Sequence, residues 1–141
     1  MTLGEDIVLD IEVPSAIPRM TCSRDRLRDA VIQLLANSRE ALPAGGSISI
    51  AVASKRHAPL SEVVELRIID NGIGMDRETL RRASDPFFTT KSTGLGGLGL
   101  TIVSHFAQEI GGNFHLQSEF GIGTRATLVL PLRSRGEKRA L

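Results

Sequence analysis

Two pairs of alternating apolar runs, each pair preceded by a helical period, constrain this chain more than anything else in it. "SISIAVAS" (47–54) and "EVVELRIID" (62–70) form one pair; "NFHLQSE" (113–119) and "RATLVLPL" (125–132) form the other. Alternation places every second side chain on one face of a strand. Between Ser23 and Leu42, Leu27, Val31, Leu34, Leu35 and Leu42 form one helical stripe, with Ser23 or Asp25 as N-cap. A second helix is expected from about Leu98 to Ile110, closed by Gly111-Gly112, and a short one near 76–82. "DIVLDIEV" (6–13) adds a first strand, ended by Pro14 and Pro18. Paired strands with helices between them are not strict βαβ alternation. They predict an α/β, two-layer sandwich with a mixed, mainly antiparallel sheet covered by helices on one face. The segments "KRHAPLS" (55–61) and "FGIGT" (120–124) read as connections, and 84–97, with Pro86 and no apolar period, as a functional lid.

Composition narrows the class. The 141 residues suffice for one core, placed at 1–133 with a polar tail at 134–141. No Trp or Tyr and only five Phe make that core aliphatic. A formal charge of +1 gives no bulk field for nucleic acid or an anionic membrane. The single cysteine, Cys22, excludes an internal disulfide and a cysteine zinc site, and suits a reducing compartment. No apolar run approaches the roughly 20 residues of a membrane span, and the N-terminus lacks a signal peptide's basic start, so a cytoplasmic domain without direct membrane contact is expected.

"STGLGGLGLTIV" (92–103) contains G-x-G-x-x-G, the dinucleotide fingerprint, with Glu119 at a suitable distance. That fingerprint needs a buried strand leading into its first glycine. "PFFTTKST" holds a proline, a lysine and four hydroxyls instead, and only a helix and two strands follow. A P-loop needs Lys-Ser/Thr after its last glycine, where Leu100-Thr101 stands. What survives is the physics: glycines let N–H groups approach phosphate oxygens, and the following helix adds its positive end. Two further segments supply chemistry. In "QLLANSREA" (33–41), Gln33 and Asn37 are four apart at the edge of the stripe, where an amide oxygen suits a hard cation such as Mg²⁺. In "DNGIGM" (70–75), Asp70 ends a strand and can accept from an exocyclic amine, with Gly72 and Gly74 thinning the wall for a flat ring. Gly121, Gly123 and Thr124 form a tight turn into the last strand.

Together and in this order, these segments resemble the nucleotide-binding domain of sensor histidine kinases, within the ATPase superfamily shared with gyrase, the heat-shock protein 90 chaperones and MutL. Five motifs carry the resemblance: the Asn37 helix, D-x-G-x-G at Asp70, "DPFFTTK" (85–91), "GLGGLGL" (94–100) and "GIGT" (121–124). "NSREALPAGGSISI" and "PFFTTK" look most like the branch that includes many hybrid kinases. The resemblance implies ATP and Mg²⁺ as cofactors. Asn37 would coordinate Mg²⁺, Asp70 would bind the adenine amine, and Gly72, Gly74 and Thr124 would shape the base pocket, with Ala41 and Met75 beside it. Phe87, Phe88 and Lys91 would belong to the lid, with Lys91 reaching the phosphates. Gly94, Gly96, Gly97, Leu98, Gly99 and Leu100 would hold the phosphates through the main chain. Asn37, Lys91 and Gln33 are thus the candidate catalytic residues. Gln33 stands where hydrolysing relatives have a glutamate base; it cannot take a proton from water, so no efficient hydrolysis is expected. Asp85 replaces the usual Glu, and the lid glycine spacing differs by about one residue from the commonest form. His57, His105 and His115 match no phosphoacceptor, so the implied partners are a separate histidine-bearing dimerisation domain and a response-regulator receiver domain. The rival readings are a binding module without phosphate transfer and a serine kinase of the anti-sigma type.

Overall fold

The computed structural model describes residues 6–83 and 97–132, apart from 18, 21, 59 and 60. Its elements run β1 (Ile7–Glu12), α1 (Arg24–Glu40), β2 (Gly46–Ala58), β3 (Ser61–Asp70), α2 (Arg77–Ala83), α3 (Gly97–Glu109), β4 (Asn113–Glu119) and β5 (Gly123–Pro131). The five strands form one sheet in the order β1-β2-β3-β5-β4. β1 pairs with β2 in parallel and the other neighbours are antiparallel. This is the mixed α/β sandwich expected from the paired strands. Of the stretch 84–97 expected as a lid, residues 84–96 lie outside the described residues, as does the tail at 134–141, and Gly97 begins α3.

The registers explain which side chains face the helices. Ile50 on β2, Ile68 on β3, Ala126 on β5 and Leu116 on β4 lie in one row across the sheet. Val64 and Leu130 pair likewise two steps along from Leu66 and Leu128. Against this face pack Ala30 and Leu34 from α1 and Leu100, Val103, Phe106 and Ala107 from α3. Phe106 is 1% exposed and is the largest of the fully buried side chains. Each buried Leu, Val or Phe side chain among them contributes about 1.5–3 kcal/mol.

Local chemistry sets the helix ends. Ser23 caps α1: its side chain accepts from the Arg26 N–H at 3.2 Å. Pro43 follows the C-cap Ala41 and prevents continuation. α3 ends in a Schellman motif, with the Gly112 N–H on the Ala107 carbonyl at 2.8 Å and Gly111 at φ 77°. An ion pair joins Arg26 in the first turn of α1 to Glu109 at the end of α3, so the two helices run antiparallel. The start of α3 therefore lies toward the Asn37 end of α1.

One expectation fails. Residues 55–61 are not a polar connection: β2 continues to Ala58 and β3 begins at Ser61, with Lys55 opposite Val63 and Arg56 opposite Glu62. Lys55 lies on the sheet's outer face. There the Lys55 ammonium lies 3.5 Å, and the Arg67 guanidinium 3.1 Å, from the Glu65 carboxylate. The Lys55–Glu65 pair crosses from β2 to β3, and such pairs extend a hairpin as apolar pairs do.

Candidate functional site

A cavity of about 200 Å³ opens between α1, the loop after β3, the start of α3 and the β4–β5 hairpin. Leu34, Ile68, Leu100, Leu116 and Ala126 make its apolar wall; Asn37, Asp70 and Thr124 bring polar groups to it. That volume is below the usual range for a whole drug-sized ligand, so it suits one ring system with the remainder of the ligand outside.

Asp70 is 5% exposed at the end of β3. Its Oδ1 accepts from the Gly72 N–H at 2.9 Å, an Asx turn that fixes the carboxylate at the cavity wall. Asn71 points the other way: its Oδ1 accepts from the Ser47 N–H at 2.8 Å and ties the loop to β2. After this loop comes α2, with the Asp76 Oδ1 accepting from the Thr79 N–H at 2.8 Å as its cap. That backbone hydrogen bond holds the Asp76 carboxyl below the usual aspartate range.

The glycines of this loop serve the protein's own backbone before any ligand. A Cβ on Gly72 would strike the Ala41 carbonyl, and Gly72 does not border the cavity, contrary to the expectation of a thinned wall there. Gly74 does border it, has φ 70°, and a Cβ there would meet the Glu119 carbonyl. Between them, the Ile73 N–H donates to the Ala41 carbonyl at 2.9 Å, and the Ile73 carbonyl accepts from the Gly121 N–H at 2.7 Å. The loop is thus clamped between the end of α1 and the β4–β5 turn.

Asn37 lines the cavity from α1, and its Nδ2 is buried with no hydrogen-bond partner among the described residues. A buried amide donor left unpaired costs about 1–3 kcal/mol, which a protein retains where a ligand completes the site. Gln33, one turn earlier and half-buried, does not border the cavity. Ala41, Met75 and Leu100 do. Gly97, Leu98 and Gly99 form the first turn of α3, where backbone N–H groups have no intrahelical partners. Phe87, Phe88, Lys91, Gly94 and Gly96 lie outside the described residues. His105 and His115 are exposed and do not line the cavity.

Two contributors were not read from the sequence. Glu40 lines the cavity three residues after Asn37, and that helical spacing was the available signal. Ser118 on β4 was the other. Its Oγ accepts from the Met75 N–H at 2.8 Å, donates to the Gly123 carbonyl at 2.9 Å, and lies 2.8 Å from Thr124 Oγ1. Its signal was the inward alternation of β4, visible only with the register in hand.

Comparison with known proteins identifies the family. The family described as "Histidine kinase-, DNA gyrase B-, and HSP90-like ATPase" matches residues 22–134. Sporulation kinase E of Bacillus subtilis is 31% identical over 95% of this chain, and sensor kinase CckA of Brucella abortus 34% over 98%. The chain spans only 18% and 16% of the length of those two relatives. The solved structure of the mycobacterial sensor histidine kinase MprB superposes with a TM-score of 0.73 at 26% identity, covering 92% of this chain and 84% of that one.

Proposed function

Since this chain belongs to the family of histidine kinase-, DNA gyrase B- and HSP90-like ATPases and is an ATP-binding catalytic domain of the sensor histidine kinase kind, we propose that it binds Mg-ATP in the cavity between α1 and the β4–β5 hairpin and presents the γ-phosphate to a histidine on a separate dimerisation domain. The observation that carries this is one cavity holding a fixed carboxylate, Asp70, and an unpaired buried amide, Asn37, on different walls.

In this reading the adenine ring lies on Ile68, Leu116 and Ala126, and Asp70 accepts its exocyclic amine. The sugar and phosphates extend from the small cavity toward the start of α3, whose N–H groups and dipole favour anionic oxygens. The residues fit a divalent cation: Asn37, whose Nδ2 has no partner among the described residues, would offer its amide oxygen to Mg²⁺, a hard cation that takes oxygen ligands. When bound, Mg²⁺ neutralises charge on the phosphates. Lys91 and the glycines at 94 and 96, carried over from the resemblance, are assigned to the same oxygens. Phosphoryl transfer asks for positioning and charge neutralisation more than covalent chemistry. Gln33 supplies no general base, which disfavours water as acceptor. A receiver domain is the proposed downstream partner. Among the described residues no helix is long and apolar enough to cross a membrane.

The test is incubation with γ-labelled ATP and Mg²⁺, alone and with a histidine-bearing dimerisation domain. Label should appear only with that domain, on the histidine, acid-labile and base-stable. Acid-stable label on this chain alone would indicate the serine-kinase reading instead.

A further inference from the structure

On the footing of that nucleotide reading, we propose that Ser118 is a positioning residue that sets the hydrogen-bonding polarity of the base pocket, by fixing Thr124 as an acceptor. The inference follows from counting protons. Ser118 Oγ has three close neighbours: the Met75 N–H at 2.8 Å, the Gly123 carbonyl at 2.9 Å and Thr124 Oγ1 at 2.8 Å. A backbone N–H can only donate, so Ser118 accepts from Met75. A carbonyl can only accept, so the single hydroxyl proton of Ser118 goes to Gly123. The contact with Thr124 is then a hydrogen bond only if Thr124 supplies the proton. Thr124 Oγ1 spends its proton on Ser118 and has only lone pairs left for the cavity it lines.

Asp70 is Thr124's direct neighbour across the β3–β5 ladder and lines the same cavity. An ionised carboxylate also only accepts. The polar end of the pocket therefore consists of two acceptors and selects a base that presents a donor, the exocyclic amine of adenine. A base with a carbonyl there, such as hypoxanthine, meets lone pairs with lone pairs. Were the Thr124 hydroxyl free to rotate, it would donate to that carbonyl and the selection would weaken. Ser118 touches neither the proposed base nor the phosphates; it acts through Thr124. The same hydroxyl holds Met75, so the loop position and the pocket polarity are set by one side chain.

The test measures affinities for ATP and ITP, each with Mg²⁺, on the whole chain and its variants. The unaltered chain should prefer ATP. In Ser118→Ala the ATP-to-ITP preference should fall about tenfold, the worth of one hydrogen bond gained by the carbonyl, while Ser118→Thr, which keeps the hydroxyl, should retain it. A merely structural serine would lower both affinities in proportion; an unchanged ratio in Ser118→Ala overturns the proposal. Should that variant not fold, Thr124→Val decides: loss of affinity for ATP but not ITP supports an acceptor at Thr124, and any other pattern overturns it. A chain that binds neither nucleotide fails the underlying reading instead, and the Ser118 assignment with it.

Discussion

Replacing Asn37 by leucine should stabilise the free protein and abolish its response to Mg-ATP. The side-chain Nδ2 is buried without a partner, and an unpaired buried donor costs about 1–3 kcal/mol. Leucine has the same branching, can extend its extra bulk into the cavity that Asn37 lines, removes that cost, and is the better helix former by up to about 0.7 kcal/mol. Imperfect packing against the neighbouring apolar wall takes back up to about 1.5 kcal/mol. The net expectation is a gain of about 1–2 kcal/mol, or roughly 3–6 °C in Tm for a domain of this size. Saturating Mg-ATP reverses the order. At a hundred times Kd, binding stabilises the unaltered chain by about 2.7 kcal/mol, and the variant, without the amide oxygen for the metal, gains far less. Thermal melts of both proteins with and without Mg-ATP should therefore cross. An Asn37→Leu protein that is less stable when free, yet keeps the full nucleotide shift, would refute the reasoning, because the amide would then be structural.

Asp70→Asn should weaken ATP binding by about 1.5–3 kcal/mol, the worth of a hydrogen bond involving a charged group; titration with a fluorescent adenine nucleotide measures it, and unchanged affinity in a folded variant excludes the adenine assignment. Gly74→Ala should cost about 2–3 kcal/mol in urea unfolding, from the left-handed φ plus the Ile73–Gly121 hydrogen bond that the displaced loop would lose. The cap of α2 should be pH-dependent with a definite sign. Asp76 is depressed when folded, so its contribution is full above the unfolded aspartate value of about 3.9 and fades as pH falls through the lower folded value. Comparing the acid unfolding of the unaltered chain with Asp76→Ala checks this, since the difference between them should vanish at the acid end.

The order of strands and helices, the cap of α1 as one of two residues, Asn37 at the edge of its stripe and Asp70 at the end of its strand could all be read from the chain alone. Each depends on periodicity or on neighbours within one turn or one strand, where covalent geometry fixes what a side chain can face. The sheet order, the true length of the β2–β3 hairpin and the close partners of the loop glycines could not. Gly72 packs closely against the Ala41 carbonyl and Gly74 against the Glu119 carbonyl, residues far away in sequence. Ser118 finds Met75, 43 residues earlier, only because β5 lies between β3 and β4. A serine's meaning depends on which donors and acceptors surround its one proton, and the fold supplies those neighbours. The chain alone thus pointed to Asn37 and Asp70 as carriers of chemistry. Tertiary structure decided which residues share a cavity and which way their hydrogen bonds run.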